Sequence, residues 1–167
     1  MTIENRKLKI KNGFSLIEMV VYMGVFSVIM LILTNLFINT LDLKVKNEAN
    51  STVSQDGRFV LSKIMNDINN ANSVSYPSLG SSASSLNFVL YGTAQTYQLN
   101  NGNLELINNY GTSVLNSVGS KVTNLVFTRL GNAGGRNSVQ VQFTLESISS
   151  VNGNKESISF QTTVGLR

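Results

Sequence analysis

The chain contains no cysteine and no histidine. Without cysteine there are no disulfides, no thiolate metal sites and no cysteine nucleophile. Without histidine the commonest general base is missing, and the two absences together remove the commonest transition-metal ligands. An enzyme has little left to work with, so no catalytic residue, no metal site and no cofactor is expected. Proline occurs once, at Pro77. Charge is scarce as well, and from Met19 to Leu41 it is absent altogether. A membrane-spanning helix needs about 20 predominantly apolar residues, and that run supplies them.

What charge there is lies unevenly. The formal net charge is +4 over 167 residues, yet Arg6, Lys7, Lys9 and Lys11 precede the apolar run with only Glu4 against them. Beyond Gly13 nine basic residues face eight acidic ones. Basicity therefore belongs to the N-terminal segment, and a nucleic-acid surface built on net charge has little support. The length allows one helical anchor and one domain of roughly 100 residues.

Lys11-Asn12-Gly13-Phe14-Ser15-Leu16-Ile17-Glu18 joins the basic segment to the apolar run. A secretory signal would have a shorter apolar core and a small-residue cleavage site after it, and neither is present. A plain signal anchor, with basic residues inside and Phe14 to about Ile38 across the membrane, accounts for everything except the Gly13-Phe14 junction and Glu18. An acidic group at the bilayer centre costs on the order of 3 kcal/mol, so Glu18 needs a reason to be there.

On these residues the chain resembles the type IV pilin and pseudopilin family, whose signal has a short basic leader, a terminal Gly, then Phe, and a Glu at the fifth mature position. Gly13, Phe14 and Glu18 fill those places. The resemblance implies that a prepilin peptidase cleaves between Gly13 and Phe14 on the cytoplasmic side and N-methylates Phe14. It also implies that Glu18 pairs with the terminal amine of a neighbouring subunit during assembly, a docking device that repays its desolvation only when both charges are present. The partners so implied are the prepilin peptidase, other pilin or pseudopilin subunits, an inner-membrane assembly platform and membrane lipid. The location is the cytoplasmic membrane, crossed once with the head outside the cytoplasm, and then the filament. Many pilins carry a proline about 22 residues into the mature chain, where this sequence has Asn35. Absence of the C-terminal cysteine pair found in many major pilins fits a minor subunit.

The expected fold is α+β: a long N-terminal helix, part anchor and part amphipathic, packed on an antiparallel β-sheet head. Residues 1–13 are assigned to the leader, 14–41 to the transmembrane helix, 42–75 to its amphipathic continuation and 76–167 to the head. Gly24 and Ser27 read equally as points of close helix approach or as residues simply tolerated in a membrane helix. Val60, Leu61, Ile64, Met65 and Ile68 recur at helical spacing, with Asp67 on the polar side. Gln55-Asp56-Gly57 is a point where the helix can kink, and Ala71 to Ser75 is where it is expected to stop.

Strands are expected at Leu86–Tyr91, Gln95–Leu99, Asn103–Ile107, Lys121–Leu130, Ser138–Glu146 and Glu156–Val164, with Asn101-Gly102 as a hairpin turn and Leu79 to Ser85 as a loop. Gly131 to Arg136 reads as a hairpin loop and not a phosphate loop, since no Lys-Ser or Lys-Thr follows. Tyr76, Tyr91, Tyr97 and Tyr110 read as half-buried sheet residues. Lys121, Arg129 and Arg136 are too few to make a nucleic-acid partner more than a weak reading. The competing function is a signal-anchored extracytoplasmic binding protein that never assembles.

Overall fold

A computed structural model describes residues 13–131 and 137–167. The expected leader, up to its last residue, and most of the Gly131 to Arg136 loop lie outside the described residues. One helix, α1, runs unbroken from Leu16 to Asn69. Contacts divide the chain into two units, Met1–Leu41 and Asp42–Arg167. In the first, the helical residues up to Leu41 are mostly apolar and none of them is buried. The backbone there is satisfied within the helix, and Ser27, Thr34 and Thr40 each donate a hydroxyl to the carbonyl four residues back at 2.8 Å. Such a segment meets the requirement that lipid imposes on backbone and side-chain polar groups.

In the second unit the helix buries one stripe, Ala49, Val53, Gly57, Val60, Ile64, Asp67 and Ile68. The steps of three and four residues keep these on one face. Among the described residues nine strands follow: β1 (Ala71–Tyr76), β2 (Ser82–Ala83), β3 (Ser85–Leu90), β4 (Thr93–Asn100), β5 (Asn103–Asn108), β6 (Gly111–Val114), β7 (Ser120–Leu130), β8 (Ser138–Val151) and β9 (Asn154–Gly165). They form two antiparallel sheets, in the orders β1-β3-β4-β5-β6 and β2-β7-β8-β9. The α+β class with a β-rich head is as expected, but the single sheet is in fact two. All six expected strands are present. Val139, Val141, Phe143 and Leu145, which alternate along β8, are fully buried.

Three strands escaped the sequence reading. Ala71–Tyr76 is β1 and not the end of the helix, which stops at Asn69. Its Asn and Ser content reads as helix-stopping, but Ala71 and Val74 are buried and tertiary pairing with β3 decides. The expected loop from Leu79 to Ser85 contains β2 and the start of β3. Strand β6, Gly111-Thr112-Ser113-Val114, is wholly exposed and so has no apolar alternation to betray it. Two-residue turns at Tyr91-Gly92, Asn101-Gly102 and Asn152-Gly153 all have positive φ at both positions. This is the twist that joins tightly paired antiparallel strands.

Gln55-Asp56-Gly57 does not kink the helix. A Cβ on Gly57 would collide with the Phe160 ring of β9, so the residue is a point of close approach between helix and sheet. Asp56, beside it, accepts hydrogen bonds from the Ser117 amide at 3.0 Å, the Ser117 hydroxyl at 2.6 Å and the Ser120 hydroxyl. The loop between β6 and β7 is thereby fastened to α1. Asn116 holds it from within, its Oδ1 accepting from the Leu104 amide and its Nδ2 donating to the Ser120 carbonyl, both at 2.8 Å.

Asp67 is not on the polar side of the helix. It is 1% exposed and accepts from the Tyr97 hydroxyl at 2.6 Å, with Lys63 Nζ 3.0 Å from its other oxygen. Tyr97 stacks on Phe88 and Phe127, with centroids 5.4 and 6.3 Å away. The four tyrosines are not half-buried: Tyr97 is fully enclosed, Tyr91 and Tyr110 are 80% and 94% exposed at turns, and Tyr76 is also exposed. Tyr91 and Tyr110 stand at strand ends, where the alternation of faces no longer applies.

Two predictions follow from this packing. Gly57→Leu should destabilise the protein by about 1–3 kcal/mol, the usual cost of overpacking, despite its better helix propensity. Adding Phe160→Ala should recover part of the loss in the same thermal unfolding assay. Burial, and then the hydrogen bond to Asp67, hold the Tyr97 phenol far above its ordinary value of 10.0. The folded chain therefore keeps a proton that the unfolded chain releases. The stability this contributes is complete below about pH 10 and falls as pH rises beyond it. Denaturant unfolding from pH 8 to 11.5 should show that decline, with a shallower slope in Tyr97→Phe.

Candidate assembly site

Gly13, Phe14 and Ser15 precede the helix in non-helical conformation. Helix α1 begins where the Ser15 carbonyl accepts from the Met19 amide at 3.2 Å. Ser15-Leu16-Ile17-Glu18 has the Ser-x-x-Glu spacing of a helix start, which places an acidic residue in the first turn against the positive end of the helix dipole. Gly13 is exposed and has open space where a Cβ would stand, so its backbone is accessible from outside the chain.

The Glu18 side chain does not turn back to cap the helix. Its Oε1 accepts from the Tyr22 hydroxyl, one turn further along, at 3.1 Å. No bond occupies Oε2 among the described residues, and none of their cations pairs with the carboxylate. The Phe14 ring meets the edge of the Tyr22 ring at a centroid distance of 6.3 Å and an interplanar angle of 78°. Tyr22 thus touches both Phe14 and Glu18, a role the sequence reading missed. The signal was present: four residues after Glu18 puts Tyr22 on the same helix face, one turn on.

The other singled-out residues are less concentrated. Gly24 is exposed, and nothing in the chain lies within 4 Å of where its Cβ would be, so no intramolecular contact requires glycine there. The helix passes through Asn35 without a break. Of the three basic residues weighed for nucleic acid, Lys121 is exposed and Arg136 lies outside the described residues. Arg129 is half-buried and donates to the Pro77 carbonyl at 3.3 Å. In the head, a small cleft of about 200 Å³ is lined by Lys46, Ala49, Ser149, Val151, Asn152, Asn154 and Glu156.

Comparison with known proteins bears on the first of these regions. Residues 8–34 match the family model of the prokaryotic N-terminal methylation motif. The match includes Gly13, Phe14, Glu18 and Tyr22 and ends within α1. It supports a type IV pilin-like, processed and membrane-anchored subunit, and it implies a prepilin peptidase and other pilins as partners. The motif is that of a structural and not a catalytic family. The match is confined to the N-terminal segment and leaves the head unassigned. No curated protein and no solved structure matched the chain.

Proposed function

We propose that the chain is a minor pilin or pseudopilin, a structural subunit of a type IV pilus, type II secretion or competence-type filament. The observation that carries this reading is the Gly13-Phe14 junction and Glu18 at the head of a 54-residue helix whose apolar first half nothing in the chain covers. An uncovered apolar helix of this length is served first by lipid and then by the helices of other subunits. The subunit starts in the cytoplasmic membrane as a single-pass protein with its head outside the cytoplasm, and an inner-membrane assembly platform passes it into the filament.

In this reading hydrolysis of the Gly13–Phe14 bond frees the Phe14 amine, which the peptidase then methylates. The absence of a Gly13 side chain and its exposed backbone suit close approach by that enzyme. Glu18 receives the terminal amine of a neighbouring subunit. Tyr22 holds one carboxylate oxygen, leaving the other to face the incoming cation. A charge-assisted contact of this kind in a low-dielectric site repays its desolvation only when both partners are in place, which favours register over non-specific helix association.

The alternative of a non-assembling anchored binding protein needs a ligand site in the head. The cleft beside Lys46 and Glu156 is smaller than the roughly 300–1,000 Å³ usual for small-molecule sites, and the two charges are already 3.6 Å apart. The filament reading is the better supported.

Intact mass and N-terminal sequencing of the protein from its native membrane should give a chain beginning at N-methylated Phe14. A chain still beginning at Met1, in cells with an active prepilin peptidase, would overturn the proposal. Glu18→Ala should insert and be cleaved normally but be depleted from sheared filaments. Wild-type filament levels in that variant would refute the docking role.

A further inference from the structure

The two sheets of the head end in four edges, β1 and β6 on one, β2 and β9 on the other. An edge strand presents unpaired N–H and C=O groups and invites pairing unless something blunts it. Strand β1 is interrupted by two register shifts and followed by Pro77, and β2 is two residues long. Strand β9 has its register shift and its two charges, Lys155 and Glu156, only near its start. From Ser157 to Gly165 it contains no charge and no proline, and its register against β8 runs without a shift. Its outer row, Ser157, Ser159, Gln161 and Thr163, is exposed. Strand β6 is short, but all four residues are exposed, uncharged and free of proline. Among the described residues no strand pairs with the outer edge of either.

The two edges run in opposite senses relative to α1. Glu156, near the start of β9, lies 3.6 Å from Lys46, and Phe160 abuts Gly57, so β9 runs with the helix. Strand β5 also runs with it: its Leu104 end is tied through Asn116 to the loop held by Asp56, and Leu106 pairs with Tyr97, which bonds Asp67. Strand β6 is antiparallel to β5 and therefore runs against the helix. Copies standing with their helices in the same sense can bring β9 of one antiparallel to β6 of the next. Pairing β9 with β9 in antiparallel fashion would instead point the two helices in opposite directions.

The faces also agree. Phe160 and Tyr97 both point toward α1, so Ser159 and Gln161 of β9 and Thr112 of β6 lie on the outer face of their sheets. The joined sheet would have its helix side continuous, and neither edge brings a charge opposite a like charge.

We propose that β9 of one copy pairs edge to edge with β6 of a second copy of this chain. The contact is head-to-tail, so each copy so joined keeps a free edge for another where copies of this chain stand side by side, and it does not close into a two-fold dimer. The parallel arrangement of copies rests on the filament reading above.

The test uses the full-length chain in its native membrane, where the absence of cysteine leaves a clean background. Gln161→Cys and Thr112→Cys placed together should, on mild oxidation, give a reducible ladder of multimers. Neither single variant should give a disulfide-linked dimer. Ser159→Cys with Thr112→Cys covers a shift of one residue pair in register. Labelling of both thiols by a membrane-impermeant maleimide reports that they are accessible outside the membrane, and resistance of the head to protease reports that it is folded. Absence of a ladder from both accessible pairs, in chains whose N-terminus is shown to be Phe14, overturns the edge pairing and leaves the processing reading intact. A disulfide-linked dimer of either single variant, which would report like strand against like strand, or a crosslink to a protein of different mass in place of this chain, overturns it too. A ladder from chains that still begin at Met1 upholds the pairing while refuting the filament reading.

Discussion

The head is built against a single stripe of helix, and at Gly57 the Phe160 ring occupies the place where a side chain would stand. There is no disulfide to hold the β-rich segment in place, so burial of apolar surface must do so. Burying one Phe or Leu side chain stabilises by about 1.5–3 kcal/mol, but only if the surfaces meet. Val53, Val60, Ile64 and Ile68 supply the helix side of the core, and the missing side chain at Gly57 lets β9 approach it. Phe160 in turn stacks on Phe143 of β8 at 5.2 Å, which carries the contact into the sheet. A glycine that lowers helix propensity is thus placed where the fold needs closeness more than local helix strength.

Two carboxylates fix the register of that contact. Asp56 gathers three hydrogen bonds from the loop entering β7, and Asp67 accepts the hydroxyl of Tyr97 in β4. Eleven residues apart on the helix, they fasten one sheet's first long strand and the other sheet's centre. Apolar packing alone tolerates sliding, whereas the buried Asp67 carboxylate without its donors would incur a cost of about 1–3 kcal/mol or more. The polar contacts therefore select one seating of the sheets on the helix from several that would bury similar area.

How much of this was legible in the sequence depended on the kind of signal each residue carries. Clean alternation in Val139-Gln140-Val141-Gln142-Phe143 gives a strand directly, and the apolar run to Leu41 gives an anchor. Strand β6 was hidden because an exposed edge strand has no buried row, and β1 because its Asn and Ser residues also read as a helix stop. Asp56, Gly57 and Asp67 were misread for a common reason. In an isolated helix a glycine is a weakness and an aspartate is solvated, and only distant partners reverse that: Ser117 for Asp56, Phe160 for Gly57 and Tyr97 for Asp67. At the N-terminus the motif residues were legible as a group, yet Tyr22 was passed over because a tyrosine in a membrane helix is unremarkable until its hydroxyl is seen on Glu18.

The local environment of Glu18 does not by itself explain why an acid stands there. The first helical turn favours a negative side chain by about 0.3–1 kcal/mol, and one hydrogen bond to a charged group adds on the order of 1.5–3 kcal/mol. These terms offset much of the cost of placing a carboxylate beside lipid, but a neutral residue at the same position would incur no such cost. A glutamate is favoured over glutamine or leucine only if some later state of the protein supplies a full positive charge. The only bond to the carboxylate among the described residues, from Tyr22, occupies one oxygen. The remaining oxygen lies one turn into the helix from Phe14, whose nitrogen would become a terminal amine if the preceding bond were cut as proposed. In the proposed filament a second copy would provide that amine, so that each subunit would carry both halves of the contact and neither half would be complete until two subunits met.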